Sequence, residues 1–367
     1  MRLNKNIRHL GDYDELNEGD FFMQITSIAA LLHSSIKSSV PRLITIAALS
    51  LLSCFQQKSS LADEISFANP LMKTGDYLSG SNWNDPHVLH DGTQFVMYAS
   101  ASQSFDGNVK IYRLVSSNGI NWTLSPLTPV LEKSTAGWDS SSVETPAVVY
   151  YGGQYHMFYT GYSGTPAETQ YYRIGHATSA DGIAWTKDES FLLGPTDPTG
   201  APNLDFNQYI VGEPAPVVFD NKIYLYFTAV GANSGVGTTL QVIGLSRYNG
   251  STWTAPVSVL EPKQALYPRA LYVGYSTPNA VLTGGKIHLY FDVIAEPWKQ
   301  VKIHHAVSDD GVGSWTQDSS PLLNKEDFDW TTEEIRSPSA LIYNGKLYLY
   351  VAGHTGSNLA IGMKVYD

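Results

Sequence analysis

The 367-residue chain carries a single cysteine, Cys54, so neither a disulfide framework nor a thiolate metal cluster can be built from it. Charge is scarce as well: 16% of residues are Asp, Glu, Lys or Arg, against the roughly 25% usual for a globular domain. Basic residues are the rarer sign, 23 against 34 acidic, and the net charge is -11. An acidic chain without a basic run repels phosphate, which excludes nucleic acid as a partner. No Walker phosphate loop, dinucleotide glycine fingerprint, His-Glu-x-x-His or Gly-x-Ser-x-Gly motif occurs, so nucleotide and serine-hydrolase chemistry have no support. The apolar run at 43–55 is too short to span a bilayer comfortably. Lys37 and Arg42 stand just before it, the arrangement of a signal-peptide core with its positive flank. Two exits follow: Leu51-Leu52-Ser53-Cys54 has the form of a lipobox that would lipidate Cys54, and Ser60-Leu61-Ala62 offers small residues for ordinary cleavage. Residues 1–62 are therefore expected to be an extension and leader, and the mature protein to be extracytoplasmic, with no membrane contact beyond a lipid on Cys54.

What the chain has in quantity is Tyr (23), Trp (8), Gly (31) and Pro (19), the composition of strands and tight turns. From residue 63 onward one unit recurs five times. The apolar cores Phe95–Tyr98, His156–Tyr159, Tyr224–Phe227, His288–Phe291 and Tyr348–Val351 align as its second strand. Each follows a proline-led strand: Asp85-Pro86, Thr145-Pro146, Glu213-Pro214, Thr277-Pro278 and Ser337-Pro338. Third strands and turns ending at Trp122, Trp185, Trp253 and Trp315 come next, and recurrence at one repeat position marks these tryptophans as blade packing. A four-stranded antiparallel sheet cannot cover both its faces alone and must stack radially on its neighbours. The expected fold is all-β, a five-bladed β-propeller over residues 63–367. The fifth copy ends before its outer strand, and Asn69-Pro70-Leu71-Met72 resembles the missing piece, so residues 67–73 are expected to pair with 358–366.

The first strand of each propeller blade lines the central channel, so the residues before the repeated prolines should share one mouth. Asp85 and Glu213 precede their prolines directly, Glu144 sits one residue further back, and Thr277 and Ser337 are neutral. Acids on three blades of five, where a packing role would favour similar residues in all, point to a site; the alternative is buried strand-end caps. Paired carboxylates are what glycosidic cleavage uses: one protonates the leaving oxygen, and the other acts on water or on the sugar carbon. Aromatics in the connections, Trp83, Trp138, Tyr209, Trp298 and Trp330, can stack on sugar rings, and Arg269 and Arg336 are the cations expected at the mouth. His176 and His305 share a third-strand position and read as packing or hydrogen-bonding residues.

Trp83-Asn84-Asp85-Pro86, Glu144-Thr145-Pro146, Glu213-Pro214 and the Ser-x-Asp-Gly-x-x-Trp turns resemble the five-bladed propeller glycoside hydrolases: the family 43 arabinanases, arabinofuranosidases and β-xylosidases, and the β-fructosidases. The resemblance implies that Asp85 is the base or nucleophile, Glu213 the general acid, and Glu144 the group that modulates pKa and binds substrate. It departs from the family pattern at Glu144, where Asp is usual, and at His87-Val88, which replace the Asn-Gly of β-fructosidases. Trp83, His87, Trp138, Arg269, Trp298 and Arg336 are expected to contact substrate. No cofactor is required, and the architecture leaves room for a structural calcium in the channel. The reading is an exported, monomeric glycosidase acting on furanoside or xyloside glycans; its rivals are a mannoside-phosphorylase-like enzyme and a glycan-binding propeller without catalysis.

Overall fold

Antiparallel meanders follow one another along the chain. The computed structural model describes residues 67–102, 108–164, 172–199, 205–232, 239–270, 272–296, 300–356 and 358–367. The leader, Cys54, Ala62 and Trp298 lie outside the described residues. The first blade holds β1 (Asn82–His90), β2 (Phe95–Ser102), β3 (Lys110–Ser116) and β4 (Thr123–Leu124). The second holds β5 (Ser142–Tyr151), β6 (Gln154–Tyr162), β7 (Arg173–Ser179) and β8 (Thr186–Lys187). The third holds β9 (Ile210–Phe219), β10 (Lys222–Ala232), β11 (Thr239–Tyr248) and β12 (Val257–Leu260). The fourth holds β13 (Tyr272–Thr283), β14 (Lys286–Glu296), β15 (Gln300–Ser308) and β16 (Thr316–Gln317), and the fifth β17 (Ile335–Tyr343), β18 (Lys346–Thr355) and β19 (Asn358–Tyr366). Each inner strand touches the next, β1 on β5, β5 on β9, β9 on β13, β13 on β17 and β17 on β1, which closes a five-bladed ring.

The fifth blade lacks a fourth strand of its own, and the N-terminal segment covers its edge. Met72 bridges Ile361, as Leu131 bridges Ile111, Leu193 bridges Ile174 and Leu323 bridges Ile303. Asn69 fixes the same edge with its side chain, donating to Met363 O and accepting from Met363 N–H. The contact is thus one bridge and a side-chain clamp rather than a full strand, enough to satisfy the edge groups that an open sheet would expose.

The five copies share a constant interval from inner to second strand. His87, Ala147, Ala215, Asn279 and Ser339 pair with Tyr98, Phe158, Tyr226, Tyr290 and Tyr350. This register corrects the alignment of the first copy by one residue: Tyr98, not Met97, stands where Phe158 stands. One step away, Met97, Met157, Leu225, Leu289 and Leu349 are all fully buried, each contributing roughly 1.5–3 kcal/mol of apolar burial. The turn tryptophans pack edge-on against the preceding blade, Trp185 on Tyr98, Trp253 on Phe158, Trp315 on Tyr226 and Trp122 on Tyr350, the last across the closure.

The residue before each repeated proline lies in the left-handed region: Asp85 (φ 48°), Thr145 (50°), Glu213 (53°), Thr277 (42°) and Ser337 (52°). Such a conformation costs about 1–3 kcal/mol for a residue with a side chain, and a following proline restricts it further. Each coincides with a β-bulge, where the pre-proline residue and its proline oppose one residue of the second strand. A bulge re-aims a side chain, here towards the axis. The proline is tolerated because the inner strand is the edge of its sheet and needs no ladder donor there.

Candidate active site

All five pre-proline residues and their prolines line one central channel of only about 30 Å³. A water fits such a space, given that one needs roughly 10–15 Å³; a sugar does not. The channel wall shares Asp85 with a much wider cleft of about 400 Å³, lined also by Glu144, Tyr162 and Tyr172 of the second blade and by Arg336 and His354 of the fifth.

Neighbouring blades hold the bulges in place through hydroxyls. Thr145 N–H donates to Ser100 Oγ (2.9 Å), Glu213 N–H to Thr160 Oγ1 (2.7 Å) and Thr277 N–H to Thr228 Oγ1 (2.9 Å). In the fourth blade the corresponding position is Asp292, whose Oδ2 accepts from Ser337 N–H at 3.2 Å. Asp292 thereby becomes a fourth buried acid beside the mouth, and sequence reasoning missed it. Aligning Ser100, Thr160, Thr228 and Asp292 as one repeat position would have exposed the carboxylate among hydroxyls.

The acids differ in how they are held. Asp85 is buried, and its Oδ1 accepts from Ser337 Oγ at 2.8 Å. Burial pushes its pKa up, against the pull of the Ser337 and Ser100 hydroxyls and the Arg336 charge. Glu213 Oε2 accepts from Thr228 Oγ1 (2.5 Å) and Thr277 N–H (2.9 Å). Burial raises its pKa too, and the Asp85 charge adds to the rise. Glu144 has fewer donors; burial and then the Asp85 charge push it up to about 8, opposed by a hydrogen bond from Tyr172. Burial likewise raises Asp292 well above the carboxylate range. Arg336 is ion-paired with Glu334. Burial works against its charge, but Glu334, Asp292 and Asp85 outweigh that and raise its pKa. The site therefore concentrates five carboxyl groups, Glu334 among them, near one guanidinium, and Glu144 keeps its proton at neutral pH. A protonated Glu144 cannot act on Glu213 by like charge; it instead relieves the repulsion that Asp85 would feel when ionised.

Of the expected site residues, Asp85, Glu144 and Arg336 line the cleft, and Glu213 lines the channel beside it, next to Asp85. The other expected substrate contacts are placed elsewhere. His87 lies in the channel wall, where its Nδ1 accepts from Val148 N–H (3.3 Å) and burial lowers its pKa to about 4. Trp83 is fully buried, with Tyr77 and Tyr112 packed edge-on against it and its Nε1 donating to Asp76 O. Trp138 stacks on Tyr159 over Gly175 and does not line the cleft, and Trp330 occupies the same place over Gly362 in the fifth blade. Trp138 and Trp330 pack because the connections that carry them fold down onto glycines of their own blades, and Trp83 packs from β1 itself. Arg269 is exposed and lines a separate cavity. His176 and His305 join matching chains of hydrogen bonds, His156–His176–Asp188 and His288–His305–Asp318. Tyr162, Tyr172 and His354 line the cleft without any repeat signal, since they stand where strands meet the variable connections.

Calcium takes six to eight oxygen ligands. Among the described residues no three His, Cys, Asp or Glu side chains are grouped to hold an ion. The channel donors are already committed, Asn279 Oδ1 to Ala340 N–H and Ser337 Oγ to Asp85. The side chains of the wall do not make up a calcium shell.

Residues 140–269 match the sequence profile of the glycosyl hydrolases family 32 N-terminal domain. That segment includes Glu144 and Glu213 and leaves Asp85 outside it. Among solved structures, the chain is similar to a glycoside hydrolase (TM-score 0.65, 15% identity, covering 78% of this chain and 88% of that one). It is also similar to a thermostable family-43 glycoside hydrolase (TM-score 0.63, 16% identity, 82% and 93%). A third likeness is to α-L-arabinofuranosidase from Lactobacillus brevis (TM-score 0.59, 13% identity, 82% and 93%). These structures share the fold. No curated protein matches the sequence.

Proposed function

We propose that this propeller is a glycoside hydrolase that cleaves furanoside or xyloside units of oligosaccharides or polysaccharides. The observation that carries the reading is the convergence of Asp85, Glu144 and Arg336 on one 400 Å³ cleft with Glu213 electrostatically coupled to Asp85. Glu213, its pKa raised, gives its proton to the leaving glycosidic oxygen. Asp85, whose carboxylate form the Ser337 and Ser100 hydroxyls and the Arg336 charge favour against burial, takes a proton from water or attacks the anomeric carbon itself. Glu144, protonated and bonded to Tyr172, keeps negative charge from accumulating beside Asp85 and presents a hydroxyl to substrate. Phosphorolysis would call for several cations to hold phosphate, and Arg336 is the one Arg or Lys among the described residues lining the cleft.

Export belongs to the same reading: a mature monomer begins at a lipidated Cys54 or at Asp63, and intact-mass spectrometry of protein from cells would show which. Activity is tested by screening the purified protein on aryl arabinofuranosides, xylosides and fructofuranosides, with and without phosphate, beside an Asp85→Ala control. Phosphate-independent turnover that the control lacks supports the proposal. Binding of glycan without turnover would replace it with the non-catalytic reading.

A further inference from the structure

A cavity of about 390 Å³ lies in the fourth blade, between the connection that enters it and its outer strands, and shares no lining residue with the cleft. Its size is within the roughly 300–1,000 Å³ of small-molecule sites. Tyr267, Pro268, Arg269, Lys302, His304 and Pro321 form its wall. Two features set it apart from an ordinary surface hollow. Among the described residues, neither Arg269 nor Lys302 has a carboxylate within ion-pair distance, so both charges are left to the same cavity. In a chain of net charge -11, two unmatched cations on one cavity run against the prevailing balance.

The second feature is His304, 1% exposed on β15. Its Nε2 lies 2.6 Å from Tyr267 Oη, and its buried Nδ1 has no partner. Burial, then the Lys302 charge, lowers its pKa to about 4, so the ring is neutral. Tyr267 Oη and Nε2 share one hydrogen bond whose direction follows the ring tautomer, and Nδ1 is the ring's remaining polar atom. Asp318, the carboxylate that His304 also feels, is taken by His305. The wall thus presents two cations without a carboxylate partner, beside Tyr267, Pro268 and Pro321 and over a buried histidine with one unpartnered nitrogen.

We propose that this cavity is an accessory subsite for an acidic sugar, a uronate unit of a glycan whose carboxylate pairs with Arg269 and Lys302 while its ring lies on Tyr267 and Pro268. A guanidinium fork matches a planar carboxylate, and the C–H face of a sugar packs on an aromatic ring. That the anion comes from a glycan rests on the glycosidase reading; the anion site itself does not.

Titration calorimetry on the whole protein tests it, with trigalacturonate, neutral galactotriose, inorganic phosphate and inorganic sulfate as probes. Trigalacturonate is expected to bind and galactotriose to fail at the same concentration. The R269Q/K302Q double variant should weaken trigalacturonate about tenfold or more and leave turnover of neutral aryl glycosides unchanged, while R336Q should leave trigalacturonate binding intact. Absence of binding, undiminished binding in the double variant, or loss in R336Q would overturn the proposal. Phosphate or sulfate competing as well as trigalacturonate would also overturn it, as the mark of a bare oxyanion site. Should the protein cleave no glycoside yet lose trigalacturonate binding in the double variant, the glycosidase reading fails and the subsite stands.

Discussion

Replacing Glu144 by glutamine removes the ionisable group whose protonation the cleft controls most strongly, and the consequence for stability can be worked through. Burial and the Asp85 charge raise Glu144 from 4.5 to about 8 in the folded protein. The folded state therefore binds this proton more tightly than the unfolded chain does. The resulting stabilisation is fully present below the unfolded value and is lost as pH rises through the folded one. At about 1.4 kcal/mol per pH unit, the span sets an upper bound of roughly 5 kcal/mol. Glu144 is partly open to the cleft, and solvent there reduces the effect to about 1–3 kcal/mol. The amide of E144Q has the same shape and never ionises, so the variant escapes the loss. At about 2 °C per kcal/mol for a domain of this size, E144Q should melt about 2–6 °C above the wild type at pH 9 and level with it at pH 5. His87 and His304, with pKa values lowered to about 4, act in the opposite sense, adding stability as pH rises between their folded and unfolded values. They are common to both proteins and cancel in the difference. Melting curves followed by circular dichroism from pH 5 to 9 provide the measurement. A difference in Tm that does not change with pH, or one that grows towards acid, would refute the reasoning.

Three further outcomes follow from packing. Met72 is fully buried where the N-terminal segment closes the fifth blade, so Met72→Ala should cost about 2–5 kcal/mol in denaturant unfolding; a loss below ~0.5 kcal/mol would mean that the segment does not hold the ring. Thr160→Val leaves the Glu213 N–H without its acceptor and should cost about 1–3 kcal/mol, with Thr160→Ser restoring most of it. In Gly175→Ala the new methyl would stand 2.4 Å from the Tyr159 ring and 2.6 Å from Trp138, an overpacking cost of about 1–3 kcal/mol visible as a lowered Tm; an unchanged Tm would contradict the packing role given to Trp138.

Repetition made most of the fold legible. Five X-Pro strands at similar spacing fixed the blade count, and the likeness of Leu71-Met72 to Val130-Leu131 located the closure. The same repetition made Asp85 and Glu213 visible, because an acid at a position that is otherwise Thr or Ser stands out. The first copy misaligned by one residue because Phe95 extends its apolar core, so hydrophobicity alone does not mark where the register begins. Trp83 and Trp138 were misread for a different reason. Position in a strand or connection says nothing of which way a ring turns, and the small residues beneath Trp138, Gly161 and Gly175, are informative only once strands are paired. The proton on Glu144 depends on burial beside Asp85 and on Tyr172, which approaches from a connection without repeat counterpart. Asp292 was hidden because its role as a latch for the next bulge is one that Ser100, Thr160 and Thr228 perform without charge.

In the proposed function Asp85 and Glu213 divide the labour of glycosidic cleavage. Turnover by Asp85→Ala and Glu213→Ala, each verified as folded, should be compared on a glycoside with a poor leaving group and on an activated aryl glycoside of the same sugar. Asp85→Ala is expected to be inactive on both, since no leaving group replaces the missing base or nucleophile. Glu213→Ala should lose far more on the poor leaving group, which needs protonation, than on the aryl glycoside, which departs unaided. Near-normal activity of Asp85→Ala, or equal losses on the two substrates for Glu213→Ala, would contradict it.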